Sequence, residues 1–218
     1  IYIAGYTGGD LDGQTNNSIN PNTNDAFISK YNSDGTKEWT RLLGTSSDRE
    51  NGNALTTGSD GSIYIAGYTD GDLDGQDNNG EGSSTDAFIT KYSTDGTKEW
   101  TRLLGNHLDQ YASALTTGND GSIYVAGKTY GDLLDGQVNF KEGAFISKYD
   151  PDGTKKWTRV IFGRGYQRAT ALKTGIDGSI YIAGRTGGSL DDQTHNGGEY
   201  DAFISKYNPD GTIEWTRL

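Results

Sequence analysis

The apolar residues of this chain fall in short runs set between clusters of Gly, Asn and Asp. One stretch shows the pattern: Ala54-Leu55-Thr56-Thr57, a turn at Ser59-Asp60-Gly61, then a run from Ser62 to Tyr68. A loop from Thr69 to Thr85, rich in Gly, Asn and Asp, leads to Asp86–Tyr92, a turn at Thr94-Asp95-Gly96, and Thr97–Leu104. Such runs, rich in Ile, Tyr, Phe, Thr and Trp, predict strands, and Asp-Gly between them predicts hairpins because Gly accepts the positive φ these turns need. A sheet with one wet face alternates apolar and polar positions. Here Ile63-Tyr64-Ile65-Ala66 and Ala87-Phe88-Ile89 are apolar on both faces, which predicts sheets covered on both sides.

The pattern repeats. Ile1-Tyr2-Ile3-Ala4-Gly5 returns from Ile63, from Ile123 with Val125 in third place, and from Ile180, in steps of 62, 60 and 57 residues. Asp25-Ala26-Phe27-Ile28-Ser29-Lys30-Tyr31 returns from Asp86 and Asp201, and from Gly143 with Gly in place of Asp. Trp39-Thr40-Arg41 returns at Trp100, Trp157 and Trp215. Four-stranded units that cannot bury both faces alone predict an all-β fold, a β-propeller of four tandem antiparallel blades. A parallel β-helix is the competing architecture, but its repeat is shorter and lacks three hairpin turns per unit. The units run approximately over 1–44, 45–105, 106–163 and 164–218, with strands A to D counted outward from the axis. The first unit lacks strand A, so the chain is expected to be an arc of a larger ring. Its open inner edge predicts self-association.

The repeated phrases also resemble the bacterial SBBP repeat, the "seven-bladed β-propeller" family, in the form found in large cyanobacterial surface or secreted proteins. The resemblance rests on Asp86-Ala87-Phe88-Ile89, Asp95-Gly96, Trp100-Thr101-Arg102-Leu103-Leu104-Gly105 and Asp120-Gly121-Ser122-Ile123-Tyr124. It covers all four units and implies a propeller continuing beyond both ends to about seven or eight blades. It implies no activity. Two departures stand out: Glu50, Gln110 and Gln167 occur where the family often has Asp before strand A, and Asp-Leu-Asp-Gly-Gln replaces Asp-Phe-Pro after strand B. Both are expected in loops.

Composition narrows the function. The chain has 30 acidic and 19 basic residues and a net charge of −11, which repels nucleic acid and anionic membranes. Eleven of the basic residues recur at fixed repeat positions, as strand decoration rather than a basic patch. Cysteine is absent, so disulfides and thiolate metal sites are excluded. No apolar run approaches the length of a membrane span, so membrane insertion is not expected. The expected setting is extracellular or at the cell surface.

Length variation is confined to the B–C and D–A loops, which share one face of the propeller, and loops on a rigid scaffold carry recognition. The B–C loops hold Asp10, Asp12 and Gln14; Asp72, Asp74 and Gln76; Asp132 and Asp135; and Asp191. Oxygens at alternate positions beside a Gly resemble a Ca²⁺ loop. The alternative is that the Asp side chains cap turns while Leu11, Leu73 and Leu190 plug the blade edge. At the end of strand B, Tyr6 and Tyr68 become Lys128 and Arg185, a substitution suited to solvent-facing ligand contacts. The recurring Trp residues serve either interblade packing or sugar stacking. His107 and His195 have no counterparts in the other units, and no nucleophile elbow or phosphate loop occurs. A non-enzymatic scaffold, adhesion or protein-interaction module of a larger bacterial surface or secreted protein is expected. The alternative is a glycan-binding lectin.

Overall fold

The computed structural model describes residues 1–16, 23–78, 84–105, 108–131 and 142–218. The first sheet holds β1 (Tyr2–Thr7), β2 (Asp25–Tyr31) and β3 (Lys37–Leu43). The second holds β4 (Glu50–Thr57), β5 (Ile63–Thr69), β6 (Asp86–Tyr92) and β7 (Lys98–Leu104). The third holds β8 (Gln110–Thr117), β9 (Ile123–Tyr130), β10 (Glu142–Tyr149) and β11 (Lys155–Ile161). The fourth holds β12 (Gln167–Thr174), β13 (Ile180–Thr186), β14 (Asp201–Tyr207) and β15 (Ile213–Arg217). Each sheet is an antiparallel meander in chain order. The all-β propeller expectation therefore holds.

Strand A is longer than its sequence suggests. The apolar run starts at Ala54, yet β4 starts at Glu50, and a bulge between Gly52 and Ala54 carries the strand past its polar stretch. The same bulge lies between Ala112 and Ala114 and between Ala169 and Ala171. Glu50, Gln110 and Gln167 are consequently not loop residues. Each opens a strand A with its side chain fully buried. Glu50 accepts hydrogen bonds from the Thr45 N–H (3.1 Å) and the Thr69 hydroxyl (2.9 Å). Gln167 accepts from the Gly163 N–H (3.0 Å) and donates to Thr186 (3.2 Å). Glu50 and Gln167 thus tie their D–A loops to strand B.

The inner strands stack sheet on sheet. Asn53 donates to the Ala112 carbonyl (2.9 Å), Thr117 to that of Thr57 (2.9 Å) and Thr174 to that of Thr117 (2.7 Å). One apolar cluster fills each junction. Tyr64, Ala66, Ala87 and Ile89 of the second sheet meet Ile123, Val125, Phe145 and Tyr149 of the third, and the other two junctions repeat this exchange. The two end sheets expose their outer faces: Ile3 and Ile204 are 48% and 39% exposed, whereas their counterparts Ile65 and Ile89 are 1%.

The outer strands add a latch. Trp39, Trp100 and Trp157 lie on the C–D turns of the following sheets, so close that a Cβ on Gly96, Gly153 or Gly211 would meet the indole at 2.9 to 3.0 Å. Those glycines also hold φ near +80°, where other residues are strained. Arg41, Arg102 and Arg159 donate from Nε to the carbonyls of the same three glycines, at 2.9, 3.0 and 2.8 Å, and lie over their own Trp rings. Three described Trp residues thus pack between sheets.

Candidate functional site

The acidic residues of the B–C loops suit either a calcium loop or turn capping. Leu73-Asp74-Gly75-Gln76 is a two-residue hairpin closed by reciprocal backbone bonds between Leu73 and Gln76 (3.0 and 2.9 Å). Asp74 and Gly75 have φ of 52° and 70°, the conformation Asp-Gly favours in such turns. Leu11-Asp12-Gly13-Gln14 and Leu190-Asp191-Asp192-Gln193 close the same way. Leu73 and Leu190 are 1% exposed, wedged into the junctions between sheets.

The carboxylates of these loops are already engaged. Asp12 pairs with Lys37 and accepts from Thr40 (2.7 Å), and Asp74 pairs with Lys98 and accepts from Thr101 (2.5 Å). Asp191 accepts from Thr216 (2.5 Å). Thr40, Thr101 and Thr216 in turn meet Ser29, Thr90 and Ser205 in buried hydroxyl pairs. Asp10 and Asp72 accept the backbone N–H groups of Asn16 (2.9 Å) and Asn78 (2.8 Å). The Lys37 ammonium and the Thr40 hydroxyl hold the Asp12 carboxyl below its usual pKa. Among the described residues, no three His, Cys, Asp or Glu side chains gather to hold a metal ion. Calcium at Asp74 would have to displace Lys98, so this geometry supports loop pinning. Asp132, Asp135 and His107 lie outside the described residues.

The ends of strands A and B form a different arrangement. Register places Asn51 opposite Tyr68, Tyr111 opposite Lys128, and Arg168 opposite Arg185. Asn51 donates to the Tyr68 hydroxyl (2.7 Å), and the Tyr68 and Tyr111 rings meet edge to face at 4.9 Å. Lys128 Nζ sits 4.4 Å from the Tyr111 ring centre and 4.6 Å from that of Tyr130, and donates to the Tyr130 hydroxyl (3.2 Å). Arg185 lies 4.3 Å over Tyr200. Tyr6 stands next to last in β1 and is exposed. Burial lowers the Lys128 pKa, raises those of Tyr68 and Tyr111, and pushes Tyr130 up to about 12.

Between these strand ends lies an open cavity of about 610 Å³ lined by Asn51, Tyr68, Tyr111, Lys128, Arg168 and neighbouring residues. A smaller cleft of about 250 Å³ lies between Arg168, Arg185, Tyr166 and Tyr200. Three of the four residues anticipated at strand ends, Tyr68, Lys128 and Arg185, line one or other space. Tyr111 and Arg168 were missed as site residues. With strand A begun at its buried Glu or Gln, the next residue falls opposite the strand-B position, and both would have been found.

This assembly defines the chain as a β-propeller repeat protein. Two stretches match the Beta-propeller repeat model SBBP, residues 38–74 and 99–135. Each match starts on strand D of one sheet and runs past strand B of the next, so the sequence repeat straddles two sheets. The chain is 31% identical over 171 residues to the Regulatory protein FlaEY of Caulobacter vibrioides, covering 71% of this chain and 18% of that protein. It is 22% identical to the uncharacterized WD repeat-containing protein L264 of Acanthamoeba polyphaga mimivirus, over 77% of this chain and 15% of that one. The chain thus spans less than a fifth of either relative. A protein of unknown function from Bacteroides caccae superposes with a TM-score of 0.50 at 11% identity, over 99% of this chain and 57% of that one. That likeness concerns fold alone.

Proposed function

We propose that the chain is a non-enzymatic binding module of a larger bacterial surface or secreted protein, serving adhesion or scaffolding, and that it recognises its partner with the strand-A and strand-B ends of the second to fourth sheets. The observation that carries this reading is the departure from repetition there. The buried positions recur from sheet to sheet, while the paired strand ends read Asn51–Tyr68, Tyr111–Lys128 and Arg168–Arg185. Packing gives no reason for that change, whereas a ligand lying across several sheets would. Glu50, the carboxylate that burial lifts to a pKa of about 7, is fully enclosed and held by Thr45 and Thr69, which suits structure better than proton transfer.

A glycan is the favoured partner, because Tyr68 and Tyr111 offer ring surface beside polar groups in a cavity of suitable size. Self-association through the open inner edge of β1 in the three-stranded first sheet belongs to the same proposal. The test is a panel of glycans and surface proteins presented to the chain and to Tyr111→Ala. Binding to the wild type that falls at least tenfold in the variant is expected. Capture of no partner, or capture indifferent to Tyr111, would contradict the reading.

A further inference from the structure

We infer that the cavity between the strand ends takes an acidic saccharide, its carboxylate held by Arg168 and Lys128 and its ring against Tyr111. This inference rests on the binding reading above and names the ligand class. Three observations point the same way.

The first is charge. In a chain of net charge −11, Lys128, Arg168 and Arg185 gather at adjacent strand ends. Arg168 faces Arg185 directly across the strand pair, an arrangement that like charges disfavour. None of the three forms an ion pair with a carboxylate among the described residues, although Lys and Arg elsewhere repeatedly do. The nearby acids Asp109 and Glu142 act on Lys128 through their charge without forming an ion pair with it. Asp109 accepts from the Thr85 N–H (3.1 Å) and the Tyr111 hydroxyl (3.3 Å), and Glu142 bonds Tyr130.

The second is unmet hydrogen bonding. Asn51 Oδ1, Ser113 Oγ and Arg168 Nε are buried without a partner among the described residues, and all three residues line this one cavity. Buried polar groups are ordinarily satisfied by protein, water or a ligand, so three at one place mark a site built for polar guests. Together they offer an acceptor, a hydroxyl and a cationic donor. Arg presents its N–H groups in a fork that matches a carboxylate, and a hydroxylated ring would serve Asn51 and Ser113.

The third is ring surface. Tyr68 and Tyr111 meet edge to face and Lys128 lies over the Tyr111 ring, so aromatic surface and a cation share one wall of the cavity. A flat, partly apolar pyranose carrying one carboxylate uses every one of these features. An inorganic anion would use the charges alone.

The experiment is calorimetric titration of the chain with an oligouronate, beside the same oligomer after its carboxylates are reduced to neutral alcohols. We expect the oligouronate to bind at least tenfold more tightly and to weaken as salt rises. Arg168→Gln should cost at least tenfold in affinity, while Lys173→Gln, an exposed cation at the other end of β12, should change nothing. Equal binding of the neutral oligomer would overturn the inference while leaving the module a glycan binder. Equal binding of a sulfated neutral oligomer would overturn the carboxylate assignment. Binding indifferent to Arg168 would overturn the site. Failure of both uronate and neutral oligomers to bind would overturn the acidic-saccharide inference, and the wider binding reading would then stand or fall on the partner panel.

Discussion

Trp100→Ala should destabilise the chain by roughly 3 kcal/mol, a large share of a domain's stability, whereas Trp215→Ala should cost less than about 1 kcal/mol. The two residues occupy the same repeat position, and both stand beside a strand-B Tyr, at 6.0 Å from Tyr64 and 6.3 Å from Tyr181. What differs is the next sheet. Trp100 covers Gly153 and donates to the Pro151 carbonyl (3.2 Å), and its neighbour Arg102 grips the same turn. Among the described residues Trp215 covers no such turn. Denaturant unfolding of the two variants separates the roles. Equal losses would mean that the indole works within its own sheet and that the latch between sheets contributes little.

Glu50→Gln should stabilise the chain above neutral pH and leave it nearly unchanged near pH 4. Burial, with Asp25 and Asp48 close by, raises the Glu50 pKa from 4.5 to about 7. The protonated form is the one the folded state prefers. Its favourable contribution is therefore complete below about pH 4.5 and is lost as pH rises through 7. The difference is on the order of 3 kcal/mol. Gln110 and Gln167 fill the same position in the next two sheets and carry no charge to bury. Melting temperatures of wild type and variant should coincide near pH 4 and separate progressively up to pH 8, the variant being the higher. Parallel curves would show that Glu50 is not the group that titrates.

Much of the fold was legible because the features that specify it are local. The Asp-Gly turns need positive φ and name themselves, and the strands covered on both faces announce themselves by losing alternation. The strict return of Trp-Thr-Arg marked a position with the same neighbour in each unit. Strand A was harder to read. Its first residues, such as Glu50-Asn51-Gly52-Asn53, have the composition of a loop, and only the bulge and the Thr45 and Thr69 contacts show why they pair as a strand.

The B–C loops carried an ambiguous signal. Asp at alternate positions beside Gly suits both an ion-binding loop and a tight hairpin, and the choice depends on Lys98 and Thr101, which lie 24 and 27 residues along the chain. The strand-end cluster was half visible. Tyr68, Lys128 and Arg185 stood out by departing from repetition. Their partners Asn51, Tyr111 and Arg168 were hidden until register was known.

The most direct measurement of the central claim is a hydrogen-exchange footprint of the chain, free and saturated with a captured ligand. Slowed exchange is expected at the ends of β8, β9, β12 and β13 around Tyr111, Lys128, Arg168 and Arg185, and unchanged exchange at the Asp60-Gly61, Asp120-Gly121 and Asp177-Gly178 turns. Protection confined to those turns, or to the Asp-Leu-Asp-Gly-Gln hairpins, would contradict that claim.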